Sequence, residues 1–236
     1  MSAARAPLAL ITGAGRGIGR ATAEALAAEG YRLVLAEVRP ALGRRTARAL
    51  ARGGADVLFV RTDVADARSV KRMAREVQRR CGPVDVLVNN AGVLDPGPLV
   101  RLRAEAIQRM LAVNLAGPLL VTRAVLPAML RRRAGAIVNV ASLLGKTGLA
   151  DYVTYCASKF GVVGFTEALA DELAGTGIQV WAVCPGQVDT PMATKTGVSA
   201  RERRGLIRPE AVARAIAQLA TGRRDEPGGA AIDVTR

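Results

Sequence analysis

Tyr155 and Lys159 stand four residues apart in a stretch of helical pattern, so their side chains share one helix face. An ammonium held beside a phenol favours the phenolate and lowers a pKa that starts at about 10. A tyrosine tuned in this way donates a proton to a developing alkoxide, or removes one from an alcohol, near neutral pH. By itself such a pair is also an ordinary feature of a helix surface, so its surroundings decide what it means. Ser142 lies just past an apolar run at 136–140, where its hydroxyl either faces a cleft or caps the next segment. The chain contains no histidine, which excludes a Ser-His-Asp triad, a Cys-His pair and a histidine metal site.

The elements that must position these residues alternate along the chain. Apolar runs at 8–11, 33–36, 57–60, 84–88, 136–140, 179–183 and 230–234 read as strands. Helical patterns at 21–29, 41–50, 67–80, 104–131, 152–174 and 210–220 lie between them. The strands are near-continuously apolar, which predicts a sheet covered on both faces. Helical connections imply crossovers and a mostly parallel seven-stranded sheet, a doubly wound α/β sandwich of the Rossmann type. No linker rich in Gly, Pro or Ser divides the 236 residues, so the expectation is one domain over 1–236. The polar stretch 189–208 follows the sixth strand and is a candidate substrate lid, since ligands of such folds lie beyond the carboxyl ends of strands. It also reads as a solvated connection.

The first strand opens directly into Thr12-Gly-Ala-Gly-Arg-Gly-Ile-Gly19. Gly13, Gly15, Gly17 and Gly19, with Arg16 and Ile18 between them, would let backbone N–H groups approach a pyrophosphate at a helix N-terminus. The spacing differs from G-x-G-x-x-G and lacks the Gly-Lys-Ser/Thr ending of a P-loop. A tight structural turn is the plainer alternative. Glu37 follows the second strand, where a carboxylate accepts hydrogen bonds from ribose hydroxyls and repels a 2′-phosphate. It favours NAD, while Arg16 and Arg39 leave NADP possible by offering charge to that phosphate.

Composition narrows the partners. Net charge is +14, from 34 basic and 20 acidic residues, but acidic residues are spread along the chain and aromatics are only 3%. An arginine-heavy surface that attracts anions without specific nucleic-acid recognition follows. Cys81, Cys156 and Cys184 have no metal-like spacing and read as reduced thiols. With no signal-peptide core and no apolar run long enough to span a bilayer, the expectation is a soluble cytoplasmic protein with no membrane partner.

At this point the chain resembles the classical short-chain dehydrogenase/reductase family. The resemblance rests on Thr12–Gly19, Asp63-Val64, Asn89-Asn90-Ala91-Gly92, Asn114, Ser142, Tyr155-Cys-Ala-Ser-Lys159 and Pro185-Gly186 with Thr190, in order across residues 8–191. It implies hydride transfer between a nicotinamide and a carbonyl carbon, without a metal. Tyr155 would be the acid/base, and Lys159 would bind the nicotinamide ribose and lower the tyrosine pKa. Ser142 would orient the substrate oxygen. Asn114 would hold the helix and a water chain linking Lys159 to solvent. Asp63 and Val64 would meet the adenine, and Asn89, Asn90, Ala91 and Gly92 would support the cofactor wall. Pro185, Gly186, Val188 and Thr190 would lie beside the nicotinamide. Tyr152 is a decoy, because the residue four further on is Cys156.

The tail departs from the family, ending its last strand in Thr235-Arg236 without a Val-Asp-Gly-Gly-like sequence. Pairing through the long helices at 104–131 and 152–174 still permits a homodimer or homotetramer. The substrate is a small carbonyl or alcohol, or a 3-oxoacyl group on a carrier. A dinucleotide-sensing protein of the same fold, without turnover, is the other reading.

Overall fold

Valine, leucine and isoleucine dominate the seven apolar runs, and each run becomes a strand. The computed structural model describes residues 5–235. The strands are β1 (Leu8–Thr12), β2 (Arg32–Glu37), β3 (Val57–Arg61), β4 (Val86–Asn89), β5 (Gly135–Val140), β6 (Ile178–Pro185) and β7 (Ala231–Val234). They form one sheet in the order β3-β2-β1-β4-β5-β6-β7. Every pairing is parallel, so the expected mostly parallel sheet is wholly so.

Eight helices accompany the sheet among the described residues: α1 (Gly17–Ala28), α2 (Pro40–Arg52), α3 (Ala67–Arg80), α4 (Ala104–Leu111), α5 (Gly117–Arg132), α6 (Val153–Glu172), α7 (Ala200–Arg203) and α8 (Pro209–Ala220). Alternate side chains of β1 show why the strands are apolar throughout. Ala9 and Ile11 enter one core layer with Leu26 of α1 and Ile216 of α8, while Leu8 and Leu10 enter the other with Met73 of α3 and Val121 of α5.

Three sequence expectations need correction. Helix α1 begins at Gly17 rather than residue 21, because the end of the glycine turn is already helical. The single helix expected over 104–131 is interrupted by a π-helical turn, Ala112–Ala116, which widens the backbone around Asn114. Ala104–Arg132, taken as one helix, is also long and apolar enough to cross a membrane, contrary to the reading that no run was. It buries Met110, Val121, Val125 and Met129 and leaves Leu111, Leu119 and Leu130 exposed.

A polar ladder crosses the buried middle of the sheet. The Asn89 amide donates to Asn139 Oδ1 at 2.9 Å and to Thr122 Oγ1 at 3.0 Å, and Asn139 donates to Thr166 Oγ1 at 2.9 Å. Asn89 and Asn139 are register partners, so the ladder ties β4, β5, α5 and α6 together. Such bonds in a dry interior specify register as well as adding stability.

Charge is distributed unevenly. Residues 39–81, which build α2, the edge strand β3 and α3, carry twelve basic and four acidic side chains, a net +8 of the chain's +14. Helix α2 turns Gly43, Thr46 and Leu50 inward, leaving Arg44, Arg45, Arg48 and Arg52 exposed.

Candidate active site

The glycine turn is built by close approach. A Cβ on Gly13 would lie 2.8 Å from Ala91 Cα, and one on Gly19 would lie 2.4 Å from both Asn90 Nδ2 and the Gly13 oxygen. Gly13 also has φ +64°, which a side chain would strain. Asn90 donates to the carbonyls of Thr12 and Gly13 at 2.9 and 3.2 Å. Thr12 Oγ1 receives the N–H groups of Asn90 and Ala91, each at 3.0 Å. The turn after β1 and the loop after β4 therefore interlock.

Beyond the turn, α1 starts with no side-chain cap on its N-terminal N–H groups and no acidic residue in its first turn. An uncapped helix start beside a glycine turn suits a pyrophosphate. Glu37 is buried at 2% exposure, so it is not the ordinary surface carboxylate that β2's end could have carried. Its Oε2 accepts the Gly15 N–H at 3.1 Å, and its Oε1 accepts both the backbone N–H and Nε of Arg39. Arg16 is exposed beside them. Burial and the neighbouring Arg39 lower its pKa, and Glu37 opposes them. These residues fit a dinucleotide, with Glu37 where an adenosine ribose would lie.

The remaining predicted cofactor residues also gather at the carboxyl ends of the strands. Asp63 is exposed after β3, its carboxylate taking the Ala65 N–H at 3.0 Å, while Val64 is buried. Gly186 follows β6 and donates its N–H to the Val234 carbonyl at 3.1 Å, and Pro185 pairs with Val234. Val188 bridges Ile207, closing the base of the 189–208 excursion. Thr190 Cγ2 would be 3.1 Å from a Cβ on Gly17, so the excursion begins directly over the glycine turn. Farther along it, Lys195 donates to the Leu94 carbonyl at 2.8 Å, and the Met192 methyl would meet a Cβ on Gly92 at 3.9 Å.

Tyr155, Ser142 and Lys159 come together between β5 and α6. The half-buried Tyr155 shares a hydrogen bond with the Ser142 hydroxyl, and Ser142 Oγ also accepts the Leu144 N–H at 3.1 Å. Ser142 thus does both things considered for it, capping a short turn and facing the phenol. Lys159 is 5% exposed and lies 5.7 Å from the tyrosine ring centre, with Nζ donating to the Val140 carbonyl at 2.7 Å.

Burial shapes the titration of both groups. Burial pushes the Tyr155 phenol up to about 12, and the Ser142 hydrogen bond only partly opposes it. Burial brings Lys159 itself down to about 8, opposed by Cys184. Tyr155 is therefore a protonated acid at neutral pH, able to donate to an alkoxide.

Asn114 joins the loop after β4 to α6. Its Oδ1 accepts the Val93 N–H at 2.8 Å, and its Nδ2 donates to the Val93 carbonyl at 2.9 Å and to Ser158 Oγ at 3.2 Å. The side-chain amide is fully used on these two partners. Sequence reasoning missed Ser158, Val93, the Thr12 hydroxyl and Lys195. Thr12, Val93 and Ser158 carried a signal, each standing beside a residue that had been singled out, and Lys195 carried none.

A model of the short chain dehydrogenase family matches residues 7–200. The chain belongs to the short-chain dehydrogenase/reductase family. Curated members include a 3-oxoacyl-(acyl-carrier-protein) reductase of Synechocystis, 41% identical over 194 residues, which are 81% of this chain and 78% of that protein. A cis-4-hydroxycyclohexanecarboxylate dehydrogenase of Sinomonas cyclohexanicum is 41% identical over 222 residues, 91% of this chain and 89% of its own length. Among solved structures, that of levodione reductase superposes with a TM-score of 0.90 at 30% identity, covering 97% of this chain and 95% of that one. Like these members of the short-chain dehydrogenase/reductase family, this chain is a dinucleotide-dependent oxidoreductase that interconverts ketone and alcohol groups.

Proposed function

We propose that this enzyme is an NAD(H)-dependent carbonyl reductase in which Tyr155 acts as the proton donor. The observation that carries the cofactor preference is the buried Glu37 carboxylate. Placing a 2′-phosphate beside it would set two anions together where little water screens them. Arg39 is already engaged by Glu37 and is less free to neutralise that phosphate.

In the reaction a nicotinamide supplies the hydride when bound. Tyr155 donates its phenolic proton to the oxygen that becomes the alcohol, while Ser142 hydrogen-bonds that oxygen and disperses its charge. Lys159, at about 8, is charged in much of the population at neutral pH and supplies positive potential beneath the ring. The reverse oxidation uses the same groups, with the Tyr155 phenolate accepting the proton of the alcohol.

The substrate class we favour is a ketone or a 3-oxoacyl group entering beside the 189–208 excursion, which serves as its lid. A second copy of the chain fits the exposed apolar residues of the long helices, including Leu111, Leu119 and Phe160, giving a homodimer or homotetramer. The test is a carbonyl and alcohol panel run with each nicotinamide cofactor in both directions. NADH should give the higher kcat/KM, and Glu37→Gln should narrow the gap. A clear preference for NADPH in the wild type would refute the assignment to Glu37.

A further inference from the structure

Between the catalytic tyrosine and lysine, Cys156 and Ser158 face the protein interior, and the polar one is Ser158. It is wholly buried at 0% exposure, on the face of α6 opposite the exposed Ala157 and Phe160. Burial alone would be met by alanine, which suits a helix better and leaves no polar group to satisfy. Serine at this place instead uses its hydroxyl in both directions. It donates to the Tyr155 carbonyl at 2.7 Å and accepts from Asn114 Nδ2 at 3.2 Å.

Asn114 in turn clamps Val93 through both its backbone groups, in the manner of one extra strand pairing. Val93 directly follows the Asn90-Ala91-Gly92 wall, whose Asn90 holds the glycine turn. Hydrogen bonds, joined by the short backbone stretch from Asn90 to Val93, therefore lead from the cofactor cradle through Asn114 and Ser158 to the backbone of Tyr155. The π-helical turn Ala112–Ala116 carries Asn114 at the point where α4, α5 and α6 meet. Turns of this kind occur mostly where function needs a side chain re-aimed.

We propose that Ser158 is a positioning residue, fixing the Tyr155 turn of α6 to the cofactor wall through Asn114. It touches neither substrate nor cofactor and acts only through Tyr155 and Asn114. The proposal rests on the family's oxidoreductase activity and not on the preference for NAD. Removing the hydroxyl leaves one N–H of the buried Asn114 amide without an acceptor and frees the Tyr155 turn to shift. Small displacements of a proton donor cost rate more than binding.

The experiment compares wild type, Ser158→Ala, Asn114→Ala and the double variant. It measures kcat, KM, dinucleotide affinity, thermal midpoint and amide exchange at Val93. Ser158→Ala should lower kcat by about ten-fold or more, well below its thermal midpoint, with dinucleotide affinity within about two-fold of wild type. Its Val93 amide should exchange faster, a readout that needs no substrate. The double variant should be no slower than Asn114→Ala, since both changes cut one chain of bonds. Ser158→Thr, which keeps the hydroxyl, should recover most of the rate if it folds. Unchanged kcat in Ser158→Ala, additive losses in the double variant, or an unaltered Val93 amide would each overturn the proposal. Loss of thermal stability with kcat preserved would assign Ser158 a structural role only.

Discussion

Replacing Lys159 by methionine should make the protein more stable at pH 7 while removing its activity. Lys159 is 5% exposed, and burial lowers its pKa from 10.5 to about 8. In the unfolded chain the ammonium keeps its proton up to the higher value, so between about 8 and 10.5 the unfolded state binds more protons than the folded one. Stability therefore rises with pH through that window. Below it, holding the charge inside costs about 3 kcal/mol, at 1.36 kcal/mol for each pKa unit. By pH 10 the remaining cost is about 1 kcal/mol. Methionine has similar length and no charge, but it forfeits the hydrogen bond to Val140, about 1.5 kcal/mol for a charged donor. The net gain at pH 7 is then about 1–2 kcal/mol, and it vanishes or reverses by pH 10. Urea unfolding of both proteins at the two pH values measures the difference, in which the titration of other groups largely cancels. A stability difference that is the same at pH 7 and pH 10 would show that Lys159 is not held charged against its burial.

Tyr155→Phe should reduce kcat by about 10²- to 10⁴-fold, the range for losing a general acid, and leave dinucleotide binding intact; isothermal titration and single-turnover assays separate the two. Gly19→Ala should abolish dinucleotide binding or folding, because its Cβ would fall 2.4 Å from Asn90 Nδ2 and the Gly13 oxygen; binding measured on the folded fraction decides between them. Gly43→Ala should cost about 1–3 kcal/mol by overpacking against Phe59, whose ring would lie 2.2 Å from the new Cβ, with kcat unchanged. Asn139→Ala should cost about 1–3 kcal/mol for the buried groups it orphans, Asn89 and Thr166, read as a lower denaturation midpoint.

The fold was legible because its signals are local. Apolar runs bounded by glycines announced seven strands, and the order of motifs placed the glycine turn, Ser142, Tyr155 and Lys159 at the carboxyl ends. What local pattern did not carry was direction and partner. Spacing put Lys159 on the face of Tyr155, yet the ammonium chose the Val140 carbonyl, a neighbour nineteen residues away. Burial pushes the phenol up, and no spacing encodes burial. The π-turn escaped because a five-residue widening leaves the apolar periodicity of the long helix almost unchanged. Ser158 lay unread inside a motif already noticed, since its partner Asn114 is 44 residues distant.

The crowd of arginines around β3 has a practical side. The chemistry gathers at β5 and β6, while the densest positive charge sits at the far edge of the same sheet, so the molecule is electrically lopsided. On a weakly anionic support it should settle by that edge, turning Ser142 and Tyr155 away from the matrix. Immobilisation by charge alone would then leave the carbonyl entrance open, whereas random coupling through surface amines would reach only Lys71, Lys146 and Lys195 among the exposed or part-exposed lysines. The asymmetry should orient this oxidoreductase on a charged surface.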